Sequence, residues 1–205
     1  MSGAKIIPHI LKDTPSLIEH ILPVQKLSVD SFREQEARQS KTLTSLGSYW
    51  KGRKPLILNK ACVLGALLPA TKDAEKDLEI FELLMGMDDV SIKKRSAHLG
   101  AEKIQNKAYR DIAPDLKRQE ELGSDLYNHI WDKVNSHLST NAKSFPELVE
   151  QLGIMRFGHR TVVGDLFSGS GQIPFEAARL GCDVYASDLN PIACMLTWGA
   201  FNIVG

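Results

Sequence analysis

The chain has 205 residues, of which 43% are hydrophobic and 24% are charged, and its 25 basic and 25 acidic residues give a formal net charge of zero. This is the composition of an ordinary globular protein, and it excludes a uniformly basic nucleic-acid-binding chain. The three cysteines form no C-x-x-C pair and no apolar run approaches the roughly 18 residues that cross a bilayer, so we expect a cytoplasmic protein without a zinc ribbon or a membrane contact.

The first 160 residues are predicted to be mainly helical. Thr14 and Pro15 are typical of a helix start, and Pro23 is typical of its end. Residues 29–41 are polar and permit a helix, and apolar residues at helical spacing predict four more helices, over residues 56–68, 73–87, 126–138 and 144–152. Residues 88–123 are polar, charged and weakly periodic, which predicts an extended or mobile insertion with some helix.

The hydrophobic period changes at Thr161. Strands are predicted over residues 161–167 and 183–187, and helices over residues 174–180 and 191–203. This β-α-β-α order predicts an α/β fold with a parallel sheet and right-handed crossovers. We therefore expect a helical domain over residues 1–158 and the start of a doubly wound domain over residues 159–205. That second domain is predicted to be incomplete, because two strands alone make no stable open sheet.

A glycine-rich turn follows the first predicted strand. Gly169 and Gly171 allow the backbone to turn tightly and to approach a ligand, and Asp188 follows the second strand, where an acidic side chain accepts hydrogen bonds from a ribose. Pro174 stands where a dinucleotide-binding turn has its third glycine, and the carboxylate of Asp165 would repel a pyrophosphate. The turn therefore favours S-adenosyl-L-methionine (SAM), which has an amino group and a ribose but no phosphate.

The run D-L-F-S-G-S-G-Q-I-P-F-E-A-A-R-L-G-C-D-V-Y-A-S-D-L-N-P resembles the cofactor-binding signature of class I SAM-dependent methyltransferases, and it is most similar to the DNA enzymes that methylate amino groups. The resemblance implies a Rossmann-like domain. Four residues would then line the methionine end of the cofactor: Asp165, Phe167, Gly169 and Gly171. Asp188 would hold the ribose, with Leu189 and Asn190 beside the adenine.

A loop rich in aromatic and basic residues, Y-W-K-G-R-K-P-L, begins at Tyr49. Its side chains could bind a carboxylate, stack on a base, contact phosphate, or simply anchor the loop in the core. The loop resembles the aromatic-x-G-x-K motif of DNA amino-methyltransferases, which implies that Trp50, Gly52 and Lys54 lie near the methionine moiety. Together with S-L-I-E-H-I-L-P-V-Q-K-L-S it resembles the uncharacterised N-terminal domain of a group of adenine-specific DNA methylases. The two resemblances cover roughly residues 14–86 and 160–203.

A basic stretch lies within residues 93–118. Its cations outnumber its carboxylates, which is typical of a surface that binds a polyanion such as DNA. An ordinary solvated helical surface remains the alternative for each single charge. The predicted phosphate contacts are Lys93, Lys94, Arg95, Lys103 and Lys107.

The chain has no catalytic motif of the kind that the resemblance implies. Amino-methyltransferases activate the exocyclic nitrogen with Asn or Asp followed by Pro-Pro and an aromatic residue, and no such run is present, since Asn190-Pro191 lacks the second proline. We therefore assign no catalytic residue. A C-terminal catalytic segment or a second subunit is the expected source of that motif.

These observations predict the N-terminal part of a SAM-dependent DNA methyltransferase that acts on adenine N6, in restriction–modification or a related role. Two alternatives stay open. The first is an RNA guanine-N2 or cytosine-N4 methyltransferase, because related families share the G-S-G-x-I-P-x-E-A-A run. The second is a non-catalytic subunit or remnant of a split methyltransferase. The target base and the recognition sequence are not assigned.

Overall fold

The structure is a computed structural model that describes residues 5–36, 50, 52–105 and 107–204. Over these residues the α-helices are α1 (Val24–Glu36), α2 (Leu56–Leu67), α3 (Ala74–Leu84), α4 (Asp89–Arg95), α5 (Tyr109–Ile112), α6 (Gln119–Leu122), α7 (Trp131–Leu138), α8 (Phe145–Phe157), α9 (Gln172–Arg179) and α10 (Pro191–Gly199). The strands are β1 (Val162–Asp165) and β2 (Asp183–Ala186). Short 3-10 turns connect several helices, and a π-helical turn, Ala200–Val204, follows α10.

The predicted helix over residues 16–22 is wrong in extent, because only the 3-10 turn Leu17–Glu19 forms there. The Glu19 carboxylate accepts hydrogen bonds from the backbone N–H and the hydroxyl of Ser16, at 2.7 and 2.8 Å. The Leu17 N–H donates to the carbonyl of Leu68 at 2.9 Å. This segment therefore runs along the end of α2, and tertiary hydrogen bonds replace the helical ones.

The helices α2, α3, α7 and α8 confirm the predictions made from apolar spacing, and they enclose the main core. Leu64, Phe81, Ile130, Val134 and Leu152 are all fully buried there. Burial of apolar side chains on facing helical stripes is the main source of stability in such a core. Among the described residues, no helix is both long and apolar enough to cross a bilayer.

Residues 88–123 contain the expected helix, but they fold into packed turns and are not extended. The helices α4, α5 and α6 alternate with 3-10 turns in this region, and Ile112 and Leu116 are buried. The Arg95 side chain is also buried, and it donates hydrogen bonds to the carbonyls of Lys117 and Gly86 at 2.9 and 3.1 Å. Polar side chains therefore hold this region together where the apolar period is too weak to be recognised.

The strand–helix–strand unit over residues 162–186 confirms the predicted parallel pairing. Val162 pairs with Asp183 and Asp165 pairs with Ala186, and α9 packs between the sheet and α2. The main core includes Leu180 and so continues past residue 158. The protein is thus mixed α/β with a two-stranded parallel sheet, while a Rossmann-like extension of that sheet stays a prediction.

The sheet face opposite α9 is open. Val163 and Val184 pack against the core, whereas Val162 is 57% exposed and Tyr185 is 72% exposed on the other face. Within the described residues each strand pairs only with the other, so one edge of each strand has no backbone partner. Trp198 on α10 is exposed as well. This part of the molecule therefore presents both unpaired strand edges and apolar surface.

Candidate cofactor site

The glycine turn and the end of β2 meet at the carboxyl edge of the sheet. The Ser168 N–H donates to the Ser187 carbonyl at 3.0 Å, and the Gly169 N–H donates to Oδ2 of Asp188 at 2.9 Å. The carboxyl ends of neighbouring parallel strands lie at one edge, where ligands bind in open α/β sheets. The structure therefore brings together Gly169 and Asp188, which the sequence had placed 19 residues apart.

Glycine is required at two positions of the turn. Gly169 has a φ of +54° and Gly171 a φ of +75°, a region that residues with a Cβ rarely adopt. A Cβ at Gly169 would stand 2.7 Å from Nε1 of Trp50, and a Cβ at Gly171 would stand 2.8 Å from Oγ1 of Thr197. At both positions glycine therefore allows a positive φ, and it also allows the side chain of Trp50 or Thr197 to pack closely against the backbone.

The Asp188 carboxylate is held ionised at the mouth of the turn. Backbone N–H groups of Asn190 and Gly169 donate to it, at 2.8 Å and 2.9 Å, and they lower the pKa of Asp188 below its ordinary value. Each carboxylate oxygen has two lone pairs, and these contacts use one on each oxygen. Asp188 can therefore still accept two hydrogen bonds from a pair of hydroxyl groups.

The remaining predicted residues lie at the end of β1 and in the loops that follow β1 and β2. Oδ1 of Asp165 accepts a hydrogen bond from the Phe167 N–H at 3.2 Å. The side chains of Phe167 and Leu189 are 77% and 92% exposed, which leaves apolar surface on both sides of the turn. The Asn190 side chain accepts a hydrogen bond from the Ile192 N–H at 3.0 Å, so it caps α10 and has a structural role of its own.

Trp50 from the N-terminal region reaches the glycine turn. Its half-buried indole ring lies against Gly169, which places one of the three predicted loop residues at the site. Gly52 has a φ of +81° with open space around it, and Lys54 is exposed. Of the remaining loop residues, Tyr49 and Lys51 lie outside the described ones.

The side chain that anchors this loop is marked by no sequence pattern. The Glu34 carboxylate in α1 accepts hydrogen bonds from the N–H groups of Leu56 and Ile57, at 2.8 and 3.1 Å, at the first turn of α2. Burial raises the pKa of Glu34, against the opposing effect of these two hydrogen bonds. A carboxylate at a helix N-terminus is favourable, but no local pattern links residues 22 positions apart. Glu34 therefore fixes where the chain after Trp50 enters α2.

The polar groups of the turn suit a cation better than a phosphate. The Gly169 N–H is used by Asp188, the Gly171 N–H donates to the Ser168 carbonyl at 2.8 Å, and Pro174 in the first turn of α9 has no N–H. Phosphate sites at helix N-termini depend on free N–H groups. The carboxylates of Asp165 and Asp188 add negative charge at this edge of the sheet. Two carboxylates at this edge disfavour a phosphate and favour a cationic group.

Only some of the side chains in the basic stretch are exposed. Lys93, Lys103 and Lys107 are exposed, whereas the half-buried Lys94 donates to the Asp125 carbonyl at 2.8 Å. Arg95 is 2% exposed and lies 3.8 Å from the carboxylate of Asp30. The prediction that Arg95 contacts phosphate is therefore wrong, because its guanidinium group is inside the protein.

A family model described as a protein of unknown function (DUF1156) matches residues 21–84. This range lies within the N-terminal segment that resembles an uncharacterised domain, so residues 21–84 are similar to such a domain. No curated protein and no solved structure matches the chain. The methyltransferase resemblance of residues 160–203 stays a prediction.

Proposed function

We propose that this chain binds SAM at the glycine turn and forms the N-terminal part of a DNA methyltransferase acting on adenine N6. The observation that carries the proposal is the contact between the Gly169 N–H and the Asp188 carboxylate, with the Trp50 indole ring against the same glycine. These three residues come from three separate segments of the chain. Their meeting at the carboxyl edge of the sheet supports a cofactor site.

Each part of SAM has a counterpart at this edge. The ribose hydroxyls would donate to the remaining lone pairs of Asp188, and the adenine would lie on the exposed side chain of Leu189. The α-amino group and the sulfonium are both cationic, and the carboxylate of Asp165 beside the turn favours them. SAM supplies an electrophilic methyl group when bound, and the protein orients it.

The target base would be activated by residues that this chain does not contribute. The exposed Val162 and Tyr185 and the unpaired strand edges support docking of further strands, from a C-terminal segment or from a second subunit. Such strands would bring the Asn/Asp-Pro-Pro-aromatic motif near the methyl group. Lys93, Lys103 and Lys107 would then contact DNA phosphates, since all three are exposed.

The cofactor proposal is tested by isothermal titration calorimetry with SAM and with NAD. Asp188→Ala is expected to weaken SAM binding at least about tenfold, because it removes two charge-assisted hydrogen bonds. Asp183→Ala is the matched control, since Asp183 is an exposed carboxylate at the other end of β2 and pairs only with Arg160, at 3.6 Å, among the described residues.

Asp188→Asn separates ligand loss from damage to the turn, because it keeps one acceptor for the backbone. Its affinity for SAM is expected to fall between those of the wild type and Asp188→Ala. Binding of NAD instead of SAM, or equal SAM affinity of the wild type and Asp188→Ala, would contradict the proposal.

A further inference from the structure

A cavity of about 750 Å³ lies away from the glycine turn. It is bounded by α2, by the chain before α7, by the start of α8 and by the C-terminal half of α9. The turn precedes the first residue of α9, whereas Phe175, Glu176 and Arg179 of that helix line the cavity. Cavities that bind small molecules have volumes of roughly 300–1,000 Å³. This one is therefore large enough for a ligand of one or two rings.

Aromatic side chains are concentrated on the walls of the cavity. Only 7% of the residues in the chain are aromatic, yet five of them line this one space: Tyr127, Trp131, Phe145, Phe175 and Phe201. The Phe145 ring makes edge-to-face contacts with Tyr127 and Trp131, with centroids 4.8 and 5.7 Å apart. Rings held in this way present rigid, flat surfaces, which favours a planar aromatic ligand.

Lys60 of α2 lines the same cavity and is 6% exposed. Its Nζ donates to the Tyr127 hydroxyl at 2.8 Å and to Oε1 of Gln119 at 3.3 Å, and it lies over the Tyr127 and Phe145 rings, 4.5 and 4.4 Å from their centroids. All these partners are neutral. Among the described residues no carboxylate oxygen lies within 4 Å of this ammonium group. A buried cation without a direct counter-ion is costly, and an anion in the cavity would relieve that cost.

The charged side chains around the cavity have a net charge that suits one anion. Lys60, Lys143 and Arg179 line it together with the carboxylates of Glu120 and Glu176. The Glu176 carboxylate is already paired with Arg179 at 2.6 Å. The excess of one positive charge matches a monoanion.

We propose that this cavity binds a planar aromatic carboxylate of one or two rings, with its carboxylate against Lys60 and its rings between the aromatic side chains. The proposal does not depend on the cofactor site. The aromatic walls select a flat molecule, and the buried ammonium group selects one that carries a negative charge.

The test is calorimetric binding of 2-naphthoate and 2-naphthamide to the full chain. The two probes have the same ring system, but only naphthoate is charged. Naphthoate is expected to bind at least about tenfold more tightly than the amide, because its hydrogen bond to Lys60 is charge-assisted. Equal affinities of the two probes, or no saturable binding of naphthoate, would overturn the proposal.

Lys60→Met keeps the length of the side chain and removes the ammonium group, so it is expected to abolish the preference for naphthoate. The exposed Lys76 lies outside the cavity, and Lys76→Met is expected to keep the wild-type preference. If Lys60→Met does not fold, the comparison of the two probes on the wild type still decides the matter. A Lys60→Met variant that is folded and retains the preference would also overturn the proposal.

Naphthoate affinity is further expected to fall as the pH rises from 6 to 8.5. Burial lowers the pKa of Lys60 to about 7 and raises that of Glu176 to about 7. Loss of either proton makes the cavity, which Glu120, Lys143 and Arg179 also line, more negative. An affinity that is constant or rises with pH would contradict the placement of the carboxylate against Lys60.

Discussion

The helical region up to Phe157 and the strand–helix region after Thr161 differ in how much of their apolar surface is buried. In the helical region Leu64 and Phe81 are fully buried between neighbouring helices. In the second region Val163 packs inward, but Tyr185 and Trp198 are 72% and 61% exposed. The first region is stabilised by its own core. The second shares that core through α9 and leaves the opposite face of its sheet exposed.

The burial of the helical region is tested most strongly at Arg95, which lies in its interior. Arg95→Met is expected to lower the free energy of unfolding by about 3 kcal/mol, because it leaves the Asp30 carboxylate without its cation and the carbonyls of Lys117 and Gly86 without their donor. Urea unfolding measures the change. Lys93→Met, two residues away and exposed, is the control and is expected to change stability by less than about 0.5 kcal/mol. If Arg95→Met lowered the free energy of unfolding as little as Lys93→Met does, the burial of Arg95 would be contradicted.

Glu176 lies in α9, beside the helical core, and so at the boundary of the two regions. Its buried carboxyl group predicts that the free energy of unfolding depends on pH. Burial raises the pKa of its carboxyl to about 7, so the folded chain keeps a proton that the unfolded chain releases above its ordinary pKa of 4.5. The contribution of this proton to stability is complete below pH 4.5 and is lost as the pH rises to about 7. Glu176→Gln is expected to remove roughly 2 kcal/mol of this decline.

Denaturant unfolding of the wild type and Glu176→Gln between pH 4.5 and 7 measures that difference. Lys60 stays largely protonated below pH 7 in both states and contributes little there. Its lowered pKa acts above pH 7 instead, where the folded chain holds fewer protons and stability rises with pH. Parallel pH curves for the two proteins would show that Glu176 titrates normally.

The glycine turn and the main helices were predictable from the sequence, whereas the long-range polar contacts of the helical region were not. Gly169 and Gly171 are positions where a positive φ is required, and such a requirement is visible in a few consecutive residues. The position of Asp188 near the turn follows from the predicted parallel pairing, because parallel strands bring their carboxyl ends together. The hydrogen bond from the Gly169 N–H to its carboxylate was not predicted.

The burial of Arg95 and the anchoring by Glu34 could not be predicted in the same way. Their partners, Asp30 and the N–H groups of Leu56 and Ile57, are distant in sequence, and no period or motif marks them. The same holds for the aromatic cavity, since its lining residues range from Ile57 to Phe201. Long-range polar contacts follow from the packing of whole helices, which the local pattern does not specify.

The positive φ of Gly169 and its close contact with Trp50 can be tested by adding a Cβ at this position. Gly169→Ala is expected to cost about 1–2 kcal/mol in stability, because alanine disfavours a positive φ and its Cβ would press on Trp50. Gly164→Ala is the control in β1, where the added Cβ meets no atom within 4 Å. Thermal unfolding compares the two variants. Equal stabilities would indicate that the turn adopts another backbone conformation.

The exposed lysines give the smallest expected effect. Combined replacement of Lys93, Lys103 and Lys107 by glutamine is expected to weaken binding to a DNA duplex about tenfold at low salt and to reduce its salt dependence. Fluorescence anisotropy measures both quantities.

A second triple variant, with Lys12, Lys72 and Lys76 replaced by glutamine, has the same net charge and serves as the control, because these lysines are exposed elsewhere on the chain. Equal losses in the two triple variants would show that total charge, rather than the basic stretch, determines DNA binding.

The most direct test of a cofactor site at the glycine turn is nuclear magnetic resonance on the 22.7 kDa chain, titrated with S-adenosylhomocysteine. If the glycine turn binds the cofactor, the backbone amide of Gly169 and the indole N–H of Trp50 shift together and saturate, and NAD leaves both unchanged. A titration in which neither resonance moves, or in which only residues around Lys60 respond, would contradict the assignment of the glycine turn as the cofactor site.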